Sequence, residues 1–186
     1  MSKGGKVVVI TGPSGVGKST IVQEALKRTG AERSVSVTTR RKRPGEVDGR
    51  DYRFVGRRTF ERMIADGELL EWAEVFGAFY GTPAEPVRKA LAAGRKIILA
   101  IDVQGGIQVH RKMPEAAFIL IVPPDREELA RRLRARGSES DEAAQERLSK
   151  AYAEIELAKS SGAYNYVIVN DELEEAIQAV VEIVES

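Results

Sequence analysis

The segment GPSGVGKS at residues 12–19 restricts the fold of this chain more than any other feature. It fits the pattern G-x-x-x-x-G-K-[S/T] at every position, and it lies between a β-branched run at 7–10 and a stretch with helical spacing at 19–28. The glycines let the backbone curl so that N–H groups point inward at an anion, and the following helix adds the positive end of its dipole. The sequence therefore predicts a strand, a phosphate-binding loop and a helix that together bind a nucleotide.

Two side chains of this loop carry chemistry. Lys18 is placed to reach the β and γ phosphates, and the Ser19 hydroxyl is placed to ligate the Mg²⁺ that accompanies them. A chance glycine-rich turn is the alternative, but it would not explain the complete pattern together with its flanking strand and helix. The other residues predicted to bind this nucleotide are Gly12, Pro13, Ser14, Gly15, Val16, Gly17 and Thr20.

The rest of the chain alternates between strands and helices. Short apolar runs at 97–101, 117–122 and 166–169 predict buried strands, and Asp125 is placed to cap a helix that ends near residue 136. A final helix follows Asp171. This alternation predicts a parallel α/β sheet.

Two stretches interrupt the alternation. Residues 34–94 combine short strands at 52–55 and 69–76 with helices at 58–65 and 83–93, which indicates an inserted subdomain. Residues 137–145 are polar, acidic and rich in Gly and Ser, and they lie between two Arg-rich helices. Such a segment is typical of a flap that closes over a site.

Composition excludes several classes of function. The 186 residues suit a single domain, and the absence of cysteine excludes disulfides, thiolate zinc sites and thiol nucleophiles. With 29 basic and 28 acidic side chains, the chain is a poor candidate for a general nucleic-acid binder. Neither a membrane-spanning run nor a signal peptide is apparent, so we expect a cytoplasmic protein with small-molecule partners; the sequence does not indicate its oligomeric state.

Further motifs follow in a fixed order: SVSVTTR at 34–40, RPGE at 43–46, GRDY at 49–52, EW at 71–72, YGT at 80–82, IDVQG at 101–105, RG at 136–137 and VIVN at 167–170. With the loop they resemble the guanylate kinase family over nearly the whole chain. The resemblance implies a three-layer α/β P-loop kinase fold with a parallel core sheet (about 1–33, 95–136 and 148–186), an inserted GMP-binding subdomain (about 34–94) and a short lid (about 137–147). It also implies transfer of the γ-phosphoryl group of ATP to GMP, with Mg²⁺.

The side chains near the start of the insert suit the phosphate of such an acceptor. A nucleoside monophosphate is a dianion, and Arg40 and Arg43 provide planar forks that match phosphate oxygens. Tyr52 and Tyr80 add neutral O–H donors. A solvated basic loop is the alternative interpretation of residues 40–43, but the neighbouring hydroxyl residues and the phosphate loop favour binding.

The base must also be recognised. Guanine presents N1–H and N2–H donors side by side, with the O6 acceptor next to them, so one carboxylate can accept from both while a hydroxyl donates to O6. By the resemblance, Glu71 is this carboxylate, and Ser36 and Thr82 are the hydroxyls. Glu71 interrupts an apolar run, which argues against an ordinary exposed strand residue, and we expect its neighbour Trp72 in the core.

Phosphoryl transfer needs positioning and electrostatic stabilisation rather than a protein nucleophile. By the resemblance, Arg132, Arg136 and Arg147 are lid arginines that close on the phosphates and exclude water, although helix-surface charge is the alternative. With Lys18 and Arg43 they complete the predicted catalytic set.

Two other positions have less definite roles. Asp102, at the carboxyl end of a strand, acts either on Mg²⁺ through water or on the acceptor nucleotide. Asn170 is expected to contact adenine.

Two departures from the family and two alternatives accompany this prediction. Ala100 replaces a usual acidic residue and Ala78 a usual Asn, so either activity is lower than usual or Asp102 suffices; these departures concern efficiency more than identity. One alternative is a non-catalytic guanylate-kinase-like binding module, but such modules usually have a degraded phosphate loop. The other is a ribose-bisphosphate phosphokinase of the same fold, which would leave Ser36, Glu71 and Thr82 without a task.

Overall fold

The computed structural model describes residues 4–75, 77–135 and 141–186. The strands are β1 Lys6–Thr11, β2 Glu32–Arg33, β3 Val37–Thr38, β4 Arg53–Phe54, β5 Leu69–Val75, β6 Ala78–Pro83, β7 Lys96–Ala100, β8 Ala117–Val122 and β9 Tyr166–Val169. The helices are α1 Lys18–Thr29, α2 Arg57–Ala65, α3 Ala84–Ala92, α4 Val103–Lys112, α5 Arg126–Ala135, α6 Asp141–Ser161 and α7 Leu173–Glu185.

Five strands form a parallel sheet in the order β2-β7-β1-β8-β9. The central strand β1 pairs with β7 on one side, where Val8 lies opposite Ile98, and with β8 on the other. Its run of β-branched residues fits this position, because a parallel strand is covered on both faces and needs apolar side chains on each. The predicted parallel sheet and α/β fold class are confirmed.

Helices cover both faces of this sheet and give three layers. Alternate side chains of β1 point to opposite faces, as strand geometry requires. Val8 and Ile10 pack with helices α1 and α7, whereas Val7 and Val9 pack with α3 and α4. Beyond β8, helix α6 extends the second layer through Ile155, which packs on Leu120.

A second sheet, in the order β4-β3-β6-β5, accounts for most of the predicted insert. It has a small core of its own, in which the Phe60 ring of α2 stacks on Phe79 at 5.4 Å between centroids. Helix α3 follows this sheet but packs on the parallel sheet through Val87 and Ala90. The part of the predicted insert after Pro83 therefore contributes to the layer over the parallel sheet.

Some local expectations differ from the structure. Strands β2 and β3 contain two residues each, and β6 contains Gly81 and Pro83, so none of the three has the apolar alternation that identifies a strand. Of the predicted flap, residues 137–140 lie outside the described part of the chain, and from Asp141 the chain is helical. Trp72 was expected in the core, but it is 39% exposed: its ring lies 6.0 Å from that of the core residue Phe79, at the margin of the second sheet's core.

None of the helices in the described ranges is long and apolar enough to cross a membrane. Helix α5 begins as predicted, because the Asp125 carboxylate accepts a hydrogen bond of 2.7 Å from the Glu128 backbone N–H.

Because the second sheet has its own core, we expect it to open locally at a lower free energy than the parallel sheet. Phe60→Ala removes a fully buried ring from that core, and we expect a loss of about 3–5 kcal/mol confined mainly to this unit. Native-state hydrogen exchange should then accelerate in β5 and β6 before β1 and β8. Phe118→Ala, which removes a fully buried ring from the core over the parallel sheet, should accelerate exchange throughout. If hydrogen exchange accelerated equally in both sheets of the Phe60 variant, the second sheet would not have an independent core.

Candidate active site

The phosphate-binding loop lies where it was predicted, between the carboxyl end of β1 and the start of α1. Gly15 and Gly17 adopt positive φ angles of 87° and 92°, which residues with a Cβ rarely adopt. Space is also limiting, because a Cβ at Gly15 would come within 2.8 Å of Leu133 Cδ2 on α5. The loop is thus held against α5, and its conformation requires glycine at these two positions.

Lys18 is the first residue of α1, and its side chain is folded back along the loop. Its Nζ donates hydrogen bonds to the carbonyl oxygens of Ile101 at 2.8 Å and Gly12 at 3.3 Å. Burial lowers the pKa of Lys18, whereas the nearby carboxylates of Asp102 and Glu154 act in the opposite direction. The ammonium group is therefore held in the cleft by weak neutral acceptors, which a phosphate oxygen can replace at a gain.

Glu71 is a buried carboxyl group in β5. Only 4% of the residue is exposed, and the Thr82 hydroxyl on the paired strand β6 donates a hydrogen bond of 2.6 Å to Glu71 Oε1. Burial raises the pKa of Glu71 to about 7, although the hydrogen bond from Thr82 acts to lower it. The other oxygen, Oε2, lies close to Gly105, where a Cβ would approach it to 2.7 Å.

Glu71 and the phosphate loop line one continuous cleft of about 610 Å³. The structure thereby brings together two sets of residues that lie more than 50 positions apart in the sequence. The predicted site residues that line the cleft are Gly12, Pro13, Ser14, Gly15, Gly17, Lys18, Ser19, Ser36, Tyr52, Glu71, Tyr80 and Asp102. Thr82 is fully buried behind Glu71, so the structure places it to orient the carboxylate.

Arg40 is fixed by an acidic residue that the sequence analysis did not single out. Two hydrogen bonds, of 3.0 and 2.7 Å, join its guanidinium to Glu46, which lines the cleft, and the guanidinium lies 5.5 Å from the centre of the Tyr52 ring. The backbone N–H of Arg43 also donates to Glu46, at 2.7 Å. These hydrogen bonds hold the pKa of Glu46 below its usual value.

The arginines of the predicted catalytic set do not share one location. Arg43 is exposed, as is Arg147 on α6, and Arg136 lies outside the described residues. Arg132 Nε donates to Glu128 at 2.6 Å, and its Nη1 donates to the Asn170 carbonyl oxygen at 2.9 Å. Arg132 is thus tied to the end of β9, and its side chain does not line the cleft.

Asp102 and Asn170 also lie at strand ends. Asp102 caps helix α4, because one carboxylate oxygen accepts from the Gly105 backbone N–H at 2.7 Å. Asn170 follows β9 and is 4% exposed, and its Nδ2 donates to the Val16 carbonyl oxygen at 2.7 Å. The structure therefore places the Asn170 side chain beneath the phosphate loop.

Glu154 was missed by the sequence analysis. It lies on α6, half-buried, and lines the cleft beside Lys18 and Asp102. Burial raises its pKa, and Lys18 acts to lower it. Its spacing could have identified it: Glu154 lies seven residues after the predicted site residue Arg147, and residues seven apart lie on the same helix face. Arg33 and Asp51 also line the cleft; Asp51 lies in the GRDY motif, but no role was predicted for either residue.

Comparisons with known protein sequences all point to the same family. A sequence model of the guanylate kinase family matches residues 4–186. Proteins named guanylate kinase from Gloeobacter violaceus and Thermus thermophilus are each 49% identical to this chain, over 94% and 93% of it and over 84% and 77% of their own length. One from Listeria innocua is 47% identical over 100% of this chain and 90% of its own length.

A solved structure gives the same result. The crystal structure of guanylate kinase from Anaplasma phagocytophilum matches with a TM-score of 0.81 and 37% identity, over 99% of this chain and 86% of that one.

The buried carboxyl group predicts an effect of pH on stability. The pKa of Glu71 is raised in the folded state, so folding favours the protonated carboxyl group. The free energy of unfolding should therefore decrease as pH rises from about 4.5 to 7 and the folded protein has to ionise this buried group. Glu71→Gln should therefore increase the free energy of unfolding by about 1–3 kcal/mol near pH 8 and by less near pH 5. Denaturant unfolding at both pH values measures this, and an equal effect at both would contradict the raised pKa.

Proposed function

Since the chain belongs to the guanylate kinase family, it is an enzyme that transfers a phosphoryl group from ATP to GMP, and we propose that the cleft between the phosphate loop and Glu71 is its active site. The observation that carries this proposal is the position of Glu71. A carboxylate that is 4% exposed faces the same cleft as a complete phosphate loop, with no basic partner at hydrogen-bond distance among the described residues. Such a group calls for a ligand that donates hydrogen bonds.

Guanine supplies these donors. Its N1–H and N2–H groups lie side by side, so they match the two oxygens of one carboxylate. Thr82 donates its only hydroxyl hydrogen to Glu71 in this structure, which orients the carboxylate before the base arrives. Ser36 lines the cleft and is the hydroxyl that we assign to guanine O6.

The GMP phosphate is assigned to the end of the cleft lined by Tyr52, Tyr80 and Glu46, next to Arg40. Arg40 already donates to an anionic group, Glu46, and a phosphate oxygen would compete for or share these donors. Arg43 would join them from the exposed loop. In this arrangement, a GMP phosphate oxygen that these side chains do not bind would face Lys18 and the phosphates of ATP in the same cleft.

The cleft also suits Mg²⁺, although in the described ranges no group of three or more His, Asp or Glu side chains is arranged to hold a metal alone. Mg²⁺ takes few protein ligands when phosphate oxygens and water supply the rest. The Ser19 hydroxyl would ligate it directly, and Asp102 would do so through water, with Glu154 nearby. When bound, the ion neutralises charge on the phosphates.

In this proposal the protein contributes positioning and positive charge. Lys18 exchanges its carbonyl acceptors for oxygens of the transferred group, and Arg132 and Arg147, with Arg136, meet the charge that develops between donor and acceptor. No residue forms a covalent intermediate, because the GMP phosphate attacks the γ-phosphorus directly. The contact between Asn170 and adenine, the limits of the lid and a cytoplasmic location remain predictions from the sequence.

Lys18 provides the first functional test. Lys18→Ala should lower the turnover number about 100-fold or more, because it removes a cation from the transferring phosphoryl group. Steady-state ADP release measures the effect, and unfolding midpoints should remain close to those of the wild type. Lys27→Ala, on the exposed side of the same helix, is the matched control and should retain full activity. Normal turnover in the Lys18 variant would contradict the assignment of the loop.

Glu71 provides the test of substrate identity. We expect GMP to be preferred over AMP by roughly 10⁴ or more in kcat/KM, because adenine places a lone pair and a C–H group against a desolvated carboxylate. Glu71→Gln presents an N–H group where an acceptor is needed. It should therefore reduce kcat/KM for GMP and narrow the preference for GMP over AMP.

A substrate panel of GMP, dGMP, AMP, CMP, UMP and ribose phosphates completes this test. Glu74→Gln removes an exposed carboxylate from the same strand and should leave the preference unchanged. If the wild-type enzyme used AMP as well as GMP, or if Glu71→Gln left GMP kinetics unchanged, the base-recognition site would be misplaced.

A further inference from the structure

The Asn170 side chain has a structural partner that its predicted contact with adenine does not explain. Its Nδ2 donates to the Val16 carbonyl oxygen at 2.7 Å, and its backbone N–H donates to the Val122 carbonyl oxygen at 2.8 Å. The side chain is buried, and its Oδ1 has no hydrogen-bond partner among the described residues. The amide is thus held rigidly at the carboxyl ends of β8 and β9, directly beneath the phosphate loop.

The hydrogen bond fixes one particular peptide group of the loop. The Val16 carbonyl and the Gly17 N–H belong to the same planar trans peptide, in which the C=O and N–H bonds point in opposite directions. A hydrogen bond that directs this C=O toward Asn170 therefore directs the N–H to the opposite side, away from Asn170. Glycines lie on both sides of Val16, so little else in the local backbone prevents this peptide from turning over.

The contact is close as well as directional. A Cβ at Gly17 would lie 2.5 Å from Asn170 Nδ2, so the loop passes over the amide with no room for a larger residue. Gly17 also needs its positive φ of 92°. These two requirements account for glycine at the last loop position before Lys18.

The same residue also contacts the arginine-bearing helix α5. Arg132 Nη1 donates to the Asn170 carbonyl oxygen at 2.9 Å, while the loop residue Gly15 packs against Leu133 of the same helix. Asn170 therefore contacts the loop through its side chain and α5 through its backbone. Asn170 is therefore one of the links that set the distance between the loop and Arg132.

We propose that Asn170 is a positioning residue for phosphate binding, which holds the peptide between Val16 and Gly17 with its N–H group directed at the phosphates of ATP. The inference rests on the proposed function, because it assumes that the loop binds phosphate. It assigns the Asn170 amide to the loop rather than to the adenine base. Its effect should therefore be the same for every ligand that carries the phosphates, with or without a base.

Inorganic tripolyphosphate, which has no base, provides the direct test. Isothermal titration calorimetry should show that Asn170→Ala binds it about 10-fold or more weakly than the wild type, because the Val16 carbonyl loses its partner and the peptide becomes free to turn. Asn165→Ala is the matched control. Asn165 lies at the opposite end of β9 and accepts a hydrogen bond of 3.1 Å from the Phe118 backbone N–H, so this variant removes a similar bond far from the loop.

A comparison of donor nucleotides separates this role from a contact with the base. Purine riboside triphosphate lacks the amino group of adenine, so its kcat/KM relative to ATP reports recognition of that group. The ratio should be the same in wild type and Asn170→Ala, while both rates fall in the variant. A variant that lost only the preference for ATP would show that Asn170 binds adenine and would overturn the proposal.

Asn170→Asp gives a second measurement if the alanine variant folds poorly. Aspartic acid has nearly the same shape, but only its protonated form can donate to the Val16 carbonyl. The deficit in tripolyphosphate affinity, relative to wild type at the same pH, should therefore shrink between about pH 8 and pH 5.5.

The controls define what would overturn the inference. If Asn170→Ala bound tripolyphosphate as tightly as Asn165→Ala, or if the Asp variant showed no recovery at low pH, the positioning role would be wrong. If the wild type itself did not bind tripolyphosphate, the phosphate-binding function of the loop would fail first.

Discussion

The site depends on the parallel pairing of β1 between β7 and β8. Because the three strands run in the same direction, their carboxyl ends meet at one edge of the sheet, and the chain leaves that edge at the phosphate loop, at Asp102 and after Val122. Strand β9 adds Asn170 at the same edge through its pairing with β8. The apolar packing on both faces keeps these four strand ends in register, so a rigid core positions the polar groups.

Across the cleft from this edge, the second sheet buries the Glu71 carboxyl group, which is unfavourable for the charged form. Glu71 is buried between β6 and helix α4, and burial raises its pKa to about 7 because the charged form has lost its water. Thr82 compensates for part of this loss. A group of this kind is unfavourable for stability and useful for recognition, because its full stabilisation requires a ligand with matching donors.

The positive charges are distributed according to how firmly they must be held. Lys18 and Arg40 occupy fixed positions, since carbonyl oxygens and Glu46 accept their hydrogen bonds. Arg132 is tied to the Asn170 backbone, and its helix packs against the loop, so it is held in a fixed position outside the cleft. Arg147 lies exposed on a different helix. Preorganised donors lower the cost of reorganisation when charge develops, whereas an exposed arginine leaves the cleft open to its substrates.

The local pattern of the sequence determined the strands and the loop. The runs at 117–122 and 166–169 coincide with β8 and β9, and GPSGVGKS forms the loop, because β-branched runs and glycine spacing act within a few residues. The burial of Glu71 also followed from its apolar neighbours. By contrast, β3 and β6 were missed, since their strand conformation comes from pairing with each other and not from their own side chains.

Only the tertiary structure decided which distant residues share the cleft. Glu46 as the partner of Arg40, Glu154 beside Lys18, and Thr82 as the donor to Glu71 all depend on how separate segments pack. The same holds for Asn170, whose resemblance-based role pointed to a base while its side chain contacts the loop. A sequence lists the chemical groups in order along the chain, but hydrogen bonds and charge interactions depend on distances in space. Those distances are set by the packing of the two sheets and their helices.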